Sequence, residues 1–146
     1  MTAGSDLVLL DTSVVIHLIR GDAVGSSMDA AYALSTRQDR PLLSIVPLGE
    51  ARSFALYRGW GQGKQDRLVA LFRELVVVDI RSDEVVRKFA EIDSWAKKHG
   101  RALSDNDTWI AATAAATGAV LITNDKDFDP LDETGFLRRI YVSPES

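Results

Sequence analysis

Leu7-Val8-Leu9-Leu10-Asp11-Thr12-Ser13-Val14-Val15-Ile16 is the stretch that decides the fold. A short, unbroken apolar run bounded by polar residues reads as a buried strand. An acid follows it at once. Thr12 or Ser13 then caps a helix that carries Val15, Leu18 and Ile19 on one face, and Gly21-Asp22 ends that helix. A strand apolar at every position is covered on both faces, which is the signature of a parallel sheet between helical layers.

The rest of the chain repeats this alternation. A second helix is expected over Val24 to Thr36, and Pro41 to Val46 reads as a second buried strand. Pro47 suits the first turn of a helix running through Glu50, Phe54 and Leu56. Three glycines between Gly59 and Gly63 mark a connector, and a helix from Lys64 to Glu74 follows. Val76 to Ile80 reads as the third strand. Val85, Phe89, Ile92 and Ala96 recur at helical spacing before Gly100. Ser104 opens an alanine-rich helix through Thr117, Ala119 to Thr123 is the fourth strand, and Arg139 to Val142 a weaker fifth. The expected architecture is α/β, a three-layer α/β/α sandwich around a mostly parallel sheet of about five strands, covered on both sides. One domain is expected over residues 1–146, a length that suits a single core.

Composition narrows the chemistry. The chain has no cysteine, which excludes disulfides, zinc–thiolate sites and thiol nucleophiles and fits a reducing cytoplasm. No apolar stretch approaches the roughly 20 residues of a membrane span, and no signal-peptide pattern frames the start. A net charge of −4 argues mildly against nucleic acid as a partner. An acidic chain binds a phosphate backbone only through a local basic patch and metal-screened carboxylates.

Four acids carry the functional reading: Asp11, Glu50, Asp107 and Asp125. Open α/β sheets bind ligands beyond the carboxyl ends of their strands. Asp11 directly follows the first strand and Asp125 follows the fourth by two residues. Glu50 lies in the first turns of the helix after the second strand. Asp107 lies in the first turn of a helix that runs antiparallel to the fourth strand and so starts at the same edge. All four positions are compatible with one site. Crowded carboxylates resist ionisation unless a cation joins them, and hard oxygen ligands select Mg²⁺ or Mn²⁺. Each acid also has an ordinary structural reading. Asp107 with Ser104 fits an acidic variant of a capping box, Asp125 fits a turn, and Glu50 fits a solvated helix start. Asp11, set against a buried apolar run, most needs a partner.

The local strings around these acids resemble the motifs of PIN-domain nucleases. Leu9 to Ile16 resembles the opening motif, Gly49-Glu50-Ala51 the second, Asn106 to Ala114 the third and Leu121 to Phe128 the fourth. The third and fourth are most similar to those of the VapC toxins of bacterial toxin–antitoxin pairs. The resemblance implies an α/β/α sandwich, Mg²⁺- or Mn²⁺-dependent cleavage of RNA, a homodimer, and inhibition by a cognate antitoxin. It carries metal binding and catalysis onto Asp11, Glu50, Asp107 and Asp125. It gives supporting roles to the hydroxyls of Thr12 and Thr123, with Asp105 and Asp127 as neighbours of the cluster. Asp107 is preferred to Asp105 as the third acid. Arg52 and Lys126, which flank motif acids, are the candidate RNA contacts, and the Leu68–Leu75 helix face is the candidate dimer surface. Trp60 is a candidate for base stacking or a partner's pocket.

Two other readings stand beside this one. Asp79, ending the Val77-Val78-Asp79-Ile80 strand, allows a receiver-type phosphoacceptor domain, although the first strand carries one acid instead of an acidic pair. A catalytically silent interaction module of the same fold is the second. His17 and His99, the only histidines, have no nucleophile pairing.

Overall fold

The computed structural model describes residues 6–144. Five strands form one parallel sheet in the order β3-β2-β1-β4-β5. They are β1 (Val8–Leu10), β2 (Leu42–Ser44), β3 (Val76–Val78), β4 (Val120–Thr123) and β5 (Arg138–Tyr141). The helices are α1 (Thr12–Arg20), α2 (Ala23–Tyr32), α3 (Ile45–Tyr57), α4 (Gln62–Arg73), α5 (Asp83–Lys98) and α6 (Asp105–Thr117). A 3₁₀ turn, Lys126–Glu133, links β4 to β5.

Strand alternation divides the core into two layers. Val8, Leu10, Leu43, Val120 and Ile122 face one way, against Val14, Val15 and Ile19 of α1 and Leu68 of α4. Leu9, Leu42 and Leu121 face the other, against Ile92 of α5, Ile110 and Ala111 of α6, and Phe128 of the 3₁₀ turn. Alanines let α6 lie close to the sheet. Phe89 stacks on Trp109 with centroids 3.9 Å apart and so locks α5 to α6. On the opposite layer, Gly25 of α2 meets α1 backbone to backbone. A Cβ there would stand 2.3 Å from the His17 carbonyl oxygen.

The sequence expectations need several corrections. Ile45 and Val46 belong to a helix, not to β2, because the Ser44 side chain accepts from the Val46 N–H and caps α3 there. Pro47 still falls in the first turn. The helix α2 stops at Tyr32, where Ala33 takes a left-handed conformation. The strand β3 is an edge strand, with Val76 and Val77 46% and 41% exposed, so it is not covered on both sides. The face from Leu68 to Leu75 is turned into the core, where Leu68 is 1% exposed, and is not a free dimer surface. Trp60 also packs against that core, edge-on to Phe54. His17 bonds Asp22, the N-cap of α2, at 2.7 Å, and His99 caps the end of α5. Among the described residues no helix is long and apolar enough to cross a membrane.

Candidate active site

The sheet order fixes where a site can form. Chain order runs outward from β1 through β2 to β3, then returns to β4 on the other side of β1. Loops leaving β1 and β4 therefore diverge and leave a crevice above their carboxyl ends. Asp11 leaves β1 and Asp125 leaves β4 at this point.

Asp11 is the deepest of the acids, 5% exposed. It is the N-cap of α1 and accepts from the Thr12 N–H at 2.8 Å. Its other oxygen accepts from the Thr123 hydroxyl at 2.7 Å and the Ser13 hydroxyl at 3.2 Å. Burial pushes its carboxyl above the usual range, and Asp125 adds to the push. The hydrogen bonds from Thr123, Thr12 and Ser13 pull the other way. The same Thr123 oxygen accepts from the Asp125 N–H at 2.9 Å, so one hydroxyl ties the two strand ends together.

Asp125 caps the 3₁₀ turn through the Asp127 N–H. That turn brings Asp127 around beside Asp125. Asp107 reaches the same place from the first turn of α6, whose cap is the Ser104 hydroxyl, accepting from the Asp107 N–H at 3.1 Å. Carboxylate oxygens of Asp107, Asp125 and Asp127 lie within 4.8 Å of one another. Asp107 is pushed up to about 6, by burial first and then by the charges of Asp11, Asp125 and Asp127, against a restraining contact with Ser104. Asp107 is thus a half-buried acid crowded by three others, and such groups ionise readily only beside a cation. Donor chemistry and spacing fit a hard divalent ion.

Glu50 flanks this group. The Thr12 hydroxyl donates to its Oε1 at 2.8 Å and the Asn106 amide to its Oε2 at 3.2 Å. Both oxygens are thus oriented by donors from α1 and α6. Asp105 does not join the cluster; it is exposed and acts on Lys97 of α5. Arg52 is exposed on α3. Lys126 is exposed beside the acids, with its Nζ 5.8 Å from the Tyr141 ring centroid. Asp79 lies on the edge strand's side, exposed and bonded to Arg81.

Two contributors, Asn106 and Ser13, lay beyond the sequence reading, and Asp127, expected there only as a neighbour of the cluster, lies closer than that. Asn106 orients Glu50, and Ser13 supports Asp11 while accepting from the Asn124 N–H. Asp127 stands as a full member of the closest acid group. The signal for Asp127 was its place two residues after a capping acid, where a tight turn returns side chains to the cap.

A model of the PIN domain matches residues 8–134. This chain belongs to the PIN-domain family. The PIN domain described here is 33% identical over 138 residues to Ribonuclease VapC5 of Mycobacterium tuberculosis, covering 92% of this chain and 94% of that protein. It is 34% identical over 129 residues to Ribonuclease VapC1 of Methanocaldococcus jannaschii, covering 88% and 83%. Among solved structures, VapBC-5 from M. tuberculosis superposes with a TM-score of 0.69 at 26% identity, over 94% of this chain and 99% of that one. VapBC2 from Rickettsia felis, bound to a promoter DNA fragment, gives 0.78 at 19% identity over 94% and 99%, a likeness of fold. A receiver domain is not the reading this PIN domain supports.

Proposed function

We propose that this PIN domain is a divalent-metal-dependent endoribonuclease of the VapC kind, acting on RNA and restrained by a cognate antitoxin protein. The observation that carries the proposal is the meeting of Asp11, Asp107, Asp125 and Asp127 at the β1/β4 crevice, with Asp107 held near 6. The relatives named as VapC ribonucleases and the neighbours solved as VapBC complexes support the substrate and the partner.

Mg²⁺ or Mn²⁺, when bound, would lower the pKa of water and screen the charge that grows on the phosphate. Asp107, Asp125 and Asp127 are the residues that would hold it, with Asp11 beneath them. The Thr123 hydroxyl ties the two strand ends together, donating to the Asp11 carboxylate and accepting from the Asp125 N–H. Thr12 and Asn106 orient the Glu50 carboxylate at the flank, one donor to each oxygen. Preorganised groups of this sort need little rearrangement as the reaction proceeds. Lys126, exposed beside the acids, and Arg52, exposed on α3, are the proposed phosphate contacts.

We also place a homodimer in this proposal, with a different surface from the one expected. Ile45, Leu56 and Tyr57 of α3 are 42%, 69% and 89% exposed.

The test is incubation of the purified protein with total RNA and Mg²⁺ or Mn²⁺, followed by mapping of new ends. Cleavage at defined positions is expected, lost by about a hundredfold or more in Asp11→Asn, a loss of the size seen when a main electrostatic group is removed. Intact RNA with both ions would favour a silent interaction module.

A further inference from the structure

The 3₁₀ turn that supplies Asp125 and Asp127 is gripped from the side by a single arginine. Arg139 of β5 is 7% exposed. Its Nε and Nη2 form a fork on Asp132, at 3.1 Å and 2.5 Å, and the same Nη2 reaches Asp129 at 2.6 Å. Both acids belong to Lys126–Glu133. Two residues along β5, on the same face, Tyr141 lies under both cations: its ring centroid is 5.9 Å from the Arg139 guanidinium carbon and 5.8 Å from the Lys126 ammonium. The grip therefore touches the turn at 126, 129 and 132, and the two clustered acids sit at its first turn.

We propose that Arg139 is a positioning residue for the acid cluster: by pinning the 3₁₀ turn to β5 it sets how tightly the site holds a divalent ion. The inference rests on the nuclease reading of that cluster. A 3₁₀ helix has poor hydrogen-bond geometry and seldom persists for eight residues unaided. Phe128 and Leu131 anchor its inner side in the core, and Arg139 holds Asp129 and Asp132 on its outer side against rotation about that anchor. Rotation would separate Asp127 from Asp107, which rides on α6. Arg139 blocks it because a planar fork fixes direction as well as distance. Lysine, a point charge, can hold one acid but cannot reproduce the fork.

The experiment is a titration of the full chain with Mn²⁺, read as the ion concentration giving half the maximal rise in melting temperature. Arg139→Gln is expected to raise that concentration by about tenfold or more, the usual effect of losing support behind a metal ligand. Arg139→Lys should fall between the two. Asp129→Asn with Asp132→Asn should weaken binding similarly, and combining them with Arg139→Gln should add little, as for groups acting as one unit. Leu34→Ala, a core truncation at a distance from the site, should lower the melting temperature without moving the half-maximal concentration. A responsive wild type whose half-maximal concentration is unchanged in Arg139→Gln overturns this inference alone. A wild type that does not respond to Mn²⁺ overturns both the inference and the metal-dependent reading beneath it.

Discussion

Asp107 is held where its own charge is unwelcome, and that opposition links stability to function. In the metal-free protein its pKa rises from 3.8 to about 6. Between these values the folded chain keeps a proton that the unfolded chain has released, so stability falls as pH rises from about 4 to about 6 and is level above. A shift of that size corresponds in full to roughly 3 kcal/mol. Asp107 is only half-buried, and solvent screening reduces this to about 1 kcal/mol. Asp107→Asn should therefore stabilise the metal-free protein at pH 7.5 by about 1 kcal/mol, or roughly 2–4 °C. The gain should shrink at pH 4, and nuclease activity should be lost. Urea unfolding in EDTA at both pH values checks this, and a variant less stable than wild type at pH 7.5 would refute it. At this scale the sequence located Asp11 at the end of a buried strand, where the structure has it, but gave the cap of α1 to Thr12 or Ser13 when Asp11 itself is the N-cap. It marked Asp127 only as a neighbour of the cluster, because how far a turn brings a side chain round is set by the 3₁₀ geometry and not by propensity. Asp105 and Asp107 differ in the sequence by two positions and in the fold by a helix face: one meets the crevice and the other Lys97.

Elements are held in register by close backbone contacts as much as by apolar side chains. The α1–α2 crossing has no room for a side chain at Gly25, where a Cβ would also stand 2.7 Å from the His17 carbonyl carbon. Alanine would gain about 1 kcal/mol in helix propensity, but it would press on backbone that cannot rotate aside. The second effect wins, and Gly25→Ala should cost about 1–3 kcal/mol, measured by chemical denaturation. An unchanged midpoint would mean the helices separate more easily than their packing implies. Element type was legible in the buried runs and helical spacings of β1, β4, α5 and α6. Boundaries were less so. Leu42 to Val46 is apolar but for one serine, and the Ser44 hydroxyl, accepting from the Val46 N–H, caps a helix where the apolar run alone reads as strand. Periodicity identified the Leu68–Leu75 face as apolar without saying what covers it, and the fold covers it itself.

For the molecule as a whole, parallel topology explains why residues far apart in the chain share one pocket. The sequence read the parallel sheet from continuous apolar strands. It did not fix the strand order, and so gave no sign that Val76 and Val77 sit on an edge. The exposed apolar residues of α3 are the proposed dimer surface, and Leu56→Asp should shift the protein to a monomer in light scattering while leaving its fold intact by circular dichroism. A monomeric wild type would remove α3 as a dimer surface. The gathering of the carboxylates is tested most directly by anomalous diffraction from crystals grown with Mn²⁺. One or more peaks are expected above the ends of β1 and β4, in contact with Asp107, Asp125 and Asp127. Density elsewhere, or none with the acids ordered and apart, would contradict it.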